Sequence, residues 1–199
     1  MAPGDSGPDR RTGWGVSQPV PSHLLLDACV VVNLYSTRQM AAILTATSSS
    51  PAIVDAVQRE AQLVFRGGDG EDAREREQID HSPCVTEGLL TVIDITDEEE
   101  FLTYIDLTQE LDDGEAMTAA VAIHRRLPVA TDDRKALRVL ARHSLTPRST
   151  LDVIRDWSAQ GSVDPEMLRT ALIDLQQRGN YLPARSHPLK AWWDASLSE

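Results

Sequence analysis

Two clusters of acids, separated by one helix-sized and one strand-sized run, constrain this chain more than any other feature. Leu111-Asp112-Asp113-Gly114-Glu115-Ala116 leads into Met117 to Arg126, rich in Ala, Val and Ile and a good helix. Pro128-Val129-Ala130 follows at once, short and apolar enough for a buried strand, and runs into Thr131-Asp132-Asp133-Arg134-Lys135. A helix that crosses back over a sheet and passes directly into a strand is a βαβ signature. Acids at the head of that helix and the tail of that strand then share one rim of the sheet, where open α/β folds place their sites.

The remaining chain supplies the partners such a unit needs. His23-Leu24-Leu25-Leu26, ending in Asp27, reads as a buried first strand. Cys29 to Tyr35 is β-branched enough to favour strand, while the pattern from Thr37 to Thr47 is helical, so two readings stand: a continued strand, or a helix beginning just past Asp27. Ser48 to Pro51 reads as a turn, Ala52-Ile53-Val54 as a second strand, and Asp55 as the cap of a helix from Ala56 to Phe65. The hydrophilic stretch Gly67 to Ser82 reads as a solvated loop or exposed helix. Leu89 to Ile95 is a third strand, and Asp97 to Leu111 a helix with apolar positions Phe101, Leu102, Ile105 and Leu111. After the central unit come helices over Lys135 to His143, Ser149 to Trp157 and Asp164 to Gln177, with Gly179 as a stop. Trp192-Trp193 is expected to dock on the body. This alternation predicts a three-layer α/β/α domain with a mainly parallel central sheet.

That organisation divides the chain into a flexible leader over 1–21, a catalytic-type domain over 22–150, and C-terminal helices over 151–199 packing on the same domain. The formal net charge of −12 argues against a broad basic surface for nucleic acid. It leaves room for an enzyme that grips phosphodiesters through cations, since each divalent ion reverses the local field. Cys29 and Cys84 are too few and too far apart for a disulfide framework and suit a reducing compartment. No run has the apolar length of a membrane span, and the N-terminus lacks an apolar signal core, so a cytoplasmic protein is the expectation.

Four acids fall where strands meet helices or within two turns of such a point: Asp27, Glu60, Glu115 and Asp133, with Asp132 as neighbour and alternative to the last. In a parallel sheet their side chains can converge on one edge. Converging carboxylates raise one another's pKa values and are tolerated chiefly around a divalent cation. Oxygen-only ligands favour Mg²⁺ or Mn²⁺, which accept phosphate oxygens while keeping several waters. The chemistry this supports is metal-assisted phosphodiester hydrolysis. Ordinary structural roles compete at each position: Asp112 and Glu115 have capping-box spacing, and Asp132 or Asp133 can simply cap the helix that follows. Arg134 and Lys135 are candidates to meet a substrate phosphate; His124 and His143 read as surface residues.

Leu25 to Tyr35, Asp113-Gly114-Glu115-Ala116 and Val129 to Ala136 together resemble a PIN domain, most like the bacterial branch that includes VapC-type toxins. The resemblance covers roughly Leu24 to Thr150. It implies an endoribonuclease using Mg²⁺ or Mn²⁺ in a four-acid pocket, with Asp27, Glu115 and Asp133 holding the cation and Glu60 orienting or deprotonating the attacking water. Asp132 is the alternative metal ligand. Cys29 stands where the family often has another polar residue, Asn33 offers a polar group one turn on, and Thr131 matches the threonine placed beside the metal site. The implied partners are an RNA substrate, an antitoxin or other protein, and a second copy in a homodimer. A non-catalytic interaction module on the same fold is the alternative. A response-regulator-like phosphoacceptor also places acids at strand ends, but it needs a suitably placed lysine after the last strand, which the sequence does not offer.

Overall fold

Leu24, Leu25 and Leu26 are all buried, which is what a strand covered on both faces requires. They form β1 (His23–Leu26), an inner strand of a four-stranded parallel sheet. A computed structural model describes residues 23–67, 71–160 and 163–198. The expected leader over 1–21 lies outside the described residues. On one side β1 pairs with β2 (Ser50–Val54), and on the other with β6 (Val129–Ala130). Beyond β2 lies β5 (Thr91–Ile93), giving the order β5-β2-β1-β6. All four strands run the same way, so their carboxyl ends share one rim.

Helices connect and cover these strands, as parallel crossovers demand. After β1 the chain turns at once into α1 (Ala28–Ser36) and then α2 (Met40–Thr45). The β-branched run Val30-Val31-Val32 is therefore helical. Asp27 in an extended conformation caps it, and Val30, Val31 and Leu34 drive its inner face into the core. β2 begins at Ser50, so the expected turn ends earlier than Pro51. The helix expected over Ala56–Phe65 is cut short as α3 (Asp55–Glu60), and Asp55 is its first residue, not its cap. Leu63-Val64-Phe65 instead becomes β3 (Leu63–Phe65), paired antiparallel with β4 (Arg76–Gln78). The stretch expected to be a loop or exposed helix thus holds half of a hairpin. Buried Arg178 secures it by donating to the Phe65 carbonyl (3.2 Å) and the Ser36 carbonyl (3.4 Å), and it pairs with Glu77.

The chain continues through α4 (Ser82–Thr86), then β5, α5 (Glu98–Leu107) and α6 (Asp113–Arg125). After β6 come α7 (Arg134–Arg142), α8 (Thr150–Ser158), α9 (Pro165–Arg178) and α10 (Lys190–Ser198). The helix ends obey their local chemistry: Ser149 caps α8, Asp164 caps α9 with Pro165 in its first turn, and Gly179 ends α9. Leu172, Leu175 and Trp193 of the last helices belong to the same core cluster as the central strands. The helix expected over Asp97 to Leu111 forms as α5, and its apolar positions divide between surface and core. Phe101, Leu102 and Ile105 are 50%, 56% and 46% exposed, because α6 covers the other side of this helix and only Leu107 and Leu111 of its apolar positions are buried.

Candidate active site

The site begins with two strand ends that leave the sheet side by side. The Asp27 amide donates to the Ala130 carbonyl (3.1 Å), extending the pairing of β1 and β6 by one rung. That places Asp27 beside Thr131. The Thr131 hydroxyl donates to Asp27 Oδ2 at 2.6 Å and accepts from the Asp133 amide at 3.1 Å. Asp27 Oδ1 accepts from the Ala28 amide at 2.8 Å, and the Cys29 thiol donates to Oδ2 at 3.4 Å. Asp27 is only 2% exposed. Burial pushes its carboxyl above the usual range, against these bonds, and the Asp133 charge adds to the rise. Asp133 caps α7, its Oδ1 accepting from the Lys135 (2.6 Å) and Ala136 (3.0 Å) amides.

Two further acids come from α3 and α6. Glu115, in the first turn of α6, accepts loosely from the Asp112 amide (3.4 Å). Burial pushes its carboxyl up to about 7, helped by the charges of Asp133 and Asp27. Glu60, the last residue of α3, accepts from the Gly114 amide at 2.9 Å through Oε1. It too is raised, first by partial burial and then by Asp113, Asp27 and Asp112. The Glu60 contact needs glycine at 114, since a Cβ there would collide with Glu60 Oε2. A glycine in the first turn of a helix costs about 1 kcal/mol relative to alanine, and that cost is the sequence signal by which its role was open to detection.

Asp27, Glu115, Thr131 and Thr118 meet around one narrow crevice together with Ala119, Val129 and Ala136. Thr118 is a component that sequence reasoning missed. Its hydroxyl is buried without a hydrogen-bond partner among the described residues, and no pattern in an Ala-rich helix marks it. Asp132 faces elsewhere. Its Oδ1 accepts from the Thr150 amide (3.2 Å) and its Oδ2 from the Thr150 hydroxyl and Asn33 Nδ2 (3.3 Å), tying the end of β6 to the start of α8. Asn33 is buried in that same tie, also donating to Thr150 Oγ1 (3.0 Å), and Thr131 is buried behind Asp27. Both side chains are buried and already hydrogen-bonded within the fold. Arg134 and Lys135 are exposed beside Asp133.

The carboxylates of Asp27, Glu115 and Asp133 act on one another electrostatically, and Glu60 feels Asp27. Among the described residues, no three such groups close on one point at ligand distances. The donor chemistry fits a hard dication, being oxygen throughout and carrying excess negative charge that a cation relieves. A family profile for the PIN domain matches residues 23–187. The chain belongs to the PIN-domain family. None of the curated proteins compared with it matches. PIN domains are in general nucleases that use divalent metal ions, and the acid rim of this PIN domain lies at the carboxyl ends of its parallel strands. Among the described residues of the PIN domain, no helix is long and apolar enough to cross a membrane.

Proposed function

We propose that the chain is an endoribonuclease that hydrolyses RNA phosphodiesters with Mg²⁺ or Mn²⁺, serving as the toxin of a toxin–antitoxin pair in the VapC-like branch, in the cytoplasm and as a homodimer. The observation that carries the reading is the placement of Asp27, Asp133 and Glu115 together at the carboxyl ends of the parallel strands, with Thr131 bonding the first two into one unit. Burial and the charges of Asp133 and Asp27 push the Glu115 carboxyl up to about 7, a field that a bound dication relieves. Asp27, Glu115 and Asp133 hold the ion, directly or through its waters. When bound, the ion lowers the pKa of water and stabilises charge on the attacked phosphate.

The chain's own residues do the rest. Thr131 fixes the rotamer of Asp27 and the path of the backbone at Asp133 with one hydroxyl. Gly114 holds Glu60 Oε1 and leaves Oε2 to take a proton from the attacking water, a role that its raised pKa assists. Asp132 and Asn33 lock α8 against the site. Arg134 and Lys135 meet substrate phosphates beside the acids.

The test is cleavage of single-stranded RNA by purified protein. Activity appears with Mn²⁺ or Mg²⁺, stops with chelator, and falls at least about 100-fold in Asp27→Asn. Activity that survives this substitution unchanged sinks the reading. A second reading, a protein-interaction module on the same fold, is favoured by the exposed row Phe101, Leu102 and Ile105 on α5. It predicts no saturable Mn²⁺ binding.

A further inference from the structure

Helix α7 runs against the charge of the chain that carries it. The whole sequence has a formal net charge of −12, yet α7 holds Arg134, Lys135, Arg138 and Arg142 and no acid. Its burial explains the arrangement. Ala136, Val139 and Leu140 form the inner face, so Lys135, Arg138 and Arg142, at i, i+3 and i+7, share the outer one. Those three residues, with Ala141 and Glu110, line a cleft of about 700 Å³. Seven residues of helix carry them over about 10 Å.

The helix that lines this cleft starts at the acids. Asp133 caps the same helix and accepts from the Lys135 amide. Of the three outer cations, Arg142 pairs with Glu110, and both partners are about half exposed. A pair of that kind contributes little and yields to a stronger anion. No ion pair to Lys135 or Arg138 forms among the described residues.

We propose that this outer face of α7 is a rail for the sugar–phosphate backbone of a single strand of nucleic acid, leading it to the acid rim. The inference rests on the nuclease reading and names how the substrate is held. A strand's phosphates repeat on the scale at which the three cations are spaced along the helix. A duplex presents one charge per about 1.7 Å of axis, and one narrow helix face on so acidic a protein cannot neutralise that density.

The experiment is fluorescence anisotropy of a short labelled single-stranded ribo-oligonucleotide with the full chain in chelator, over a salt series. Three phosphate contacts give a log–log salt slope of about −2. In the double variant Arg138→Ala/Arg142→Ala the slope shrinks by about 1.4 and affinity at low salt falls at least about tenfold, while Glu110→Gln tightens binding. Circular dichroism and the melting temperature establish that both variants fold. An unchanged slope and affinity in the double variant overturns the proposal, as does equal or tighter binding of a duplex or a poly-glutamate peptide. Cleavage with Mn²⁺ is scored separately. A chain that binds strand through α7 without cutting it keeps the rail and loses the nuclease; one that cuts with an unchanged KM in the double variant does the reverse.

Discussion

Glu115 ionises near neutral pH because burial, Asp133 and Asp27 all disfavour its anion. A carboxyl whose pKa rises on folding stabilises the native state fully below its unfolded value, here 4.5, and that contribution is lost as pH climbs through about 7. Asp27 and Glu60 shift in the same direction. The metal-free protein therefore melts at a lower temperature near pH 8 than near pH 5, and Glu115→Gln flattens that trend in a melting series across pH. A steeper fall in the variant would show that other groups control the transition. Thr118 gives a second prediction of known sign. Its hydroxyl is buried and without a partner among the described residues, so Thr118→Val removes a desolvation cost of about 1–3 kcal/mol. In a chain of this size each kcal/mol raises Tm by about 2–4 °C, which calorimetry resolves.

Among the elements, α5 and α6 are joined by a buried pair. Glu100 is 1% exposed and accepts from Arg125 Nε (2.6 Å) and Nη2 (2.7 Å), while its Oε2 also accepts from the Thr96 amide (3.0 Å). Arg125→Ala strips that buried carboxylate of its cation and leaves it only the Thr96 amide, which costs about 2–3 kcal/mol. The Arg125 guanidinium holds Glu100 below the usual carboxylate range, so the stability it contributes is present above about 4.5 and lost as pH falls through its lowered pKa. Urea titration of wild type and variant at neutral and acid pH measures both effects, and the variant's deficit shrinks in acid.

The elements that sequence alone made legible are those whose signal is local. Leu24-Leu25-Leu26 and Val129-Ala130 are apolar runs ending in acids, and α6 has the length and composition of a crossover helix. The β3–β4 hairpin was not legible. Leu63-Val64-Phe65 is three residues long, follows α3 without a breaker, and owes its place to Arg76–Gln78 and to Arg178, 113 residues away from Phe65. Phe101, Leu102 and Ile105 show the matching limit, since periodicity marks an apolar face without saying what covers it. At the site, Asp132 and Asp133 are adjacent and alike in the sequence. Thr150 and Asn33 separate them by claiming the first and leaving the second to cap α7 and face the acids.

At the scale of the whole molecule, the carboxyls of Asp27, Glu115 and Glu60 are all raised, and neighbouring acids add to each shift. A dication that binds the native chain and not the unfolded one stabilises it by mass action. About 2.7 kcal/mol is expected at a concentration 100 times Kd. Mn²⁺ should therefore raise the melting temperature of wild type saturably, with chelator reversing it. Asp27→Asn should show a smaller rise and a higher melting temperature without metal. A wild-type Tm indifferent to Mn²⁺ favours the interaction module. The bond from Thr131 to Asp27 spans 104 residues, and β6, which makes it possible, is two residues long. The two ends of that bond come together only once β6 has paired with a strand made about a hundred residues earlier, so a fragment ending before residue 129 cannot hold Asp27 in this way.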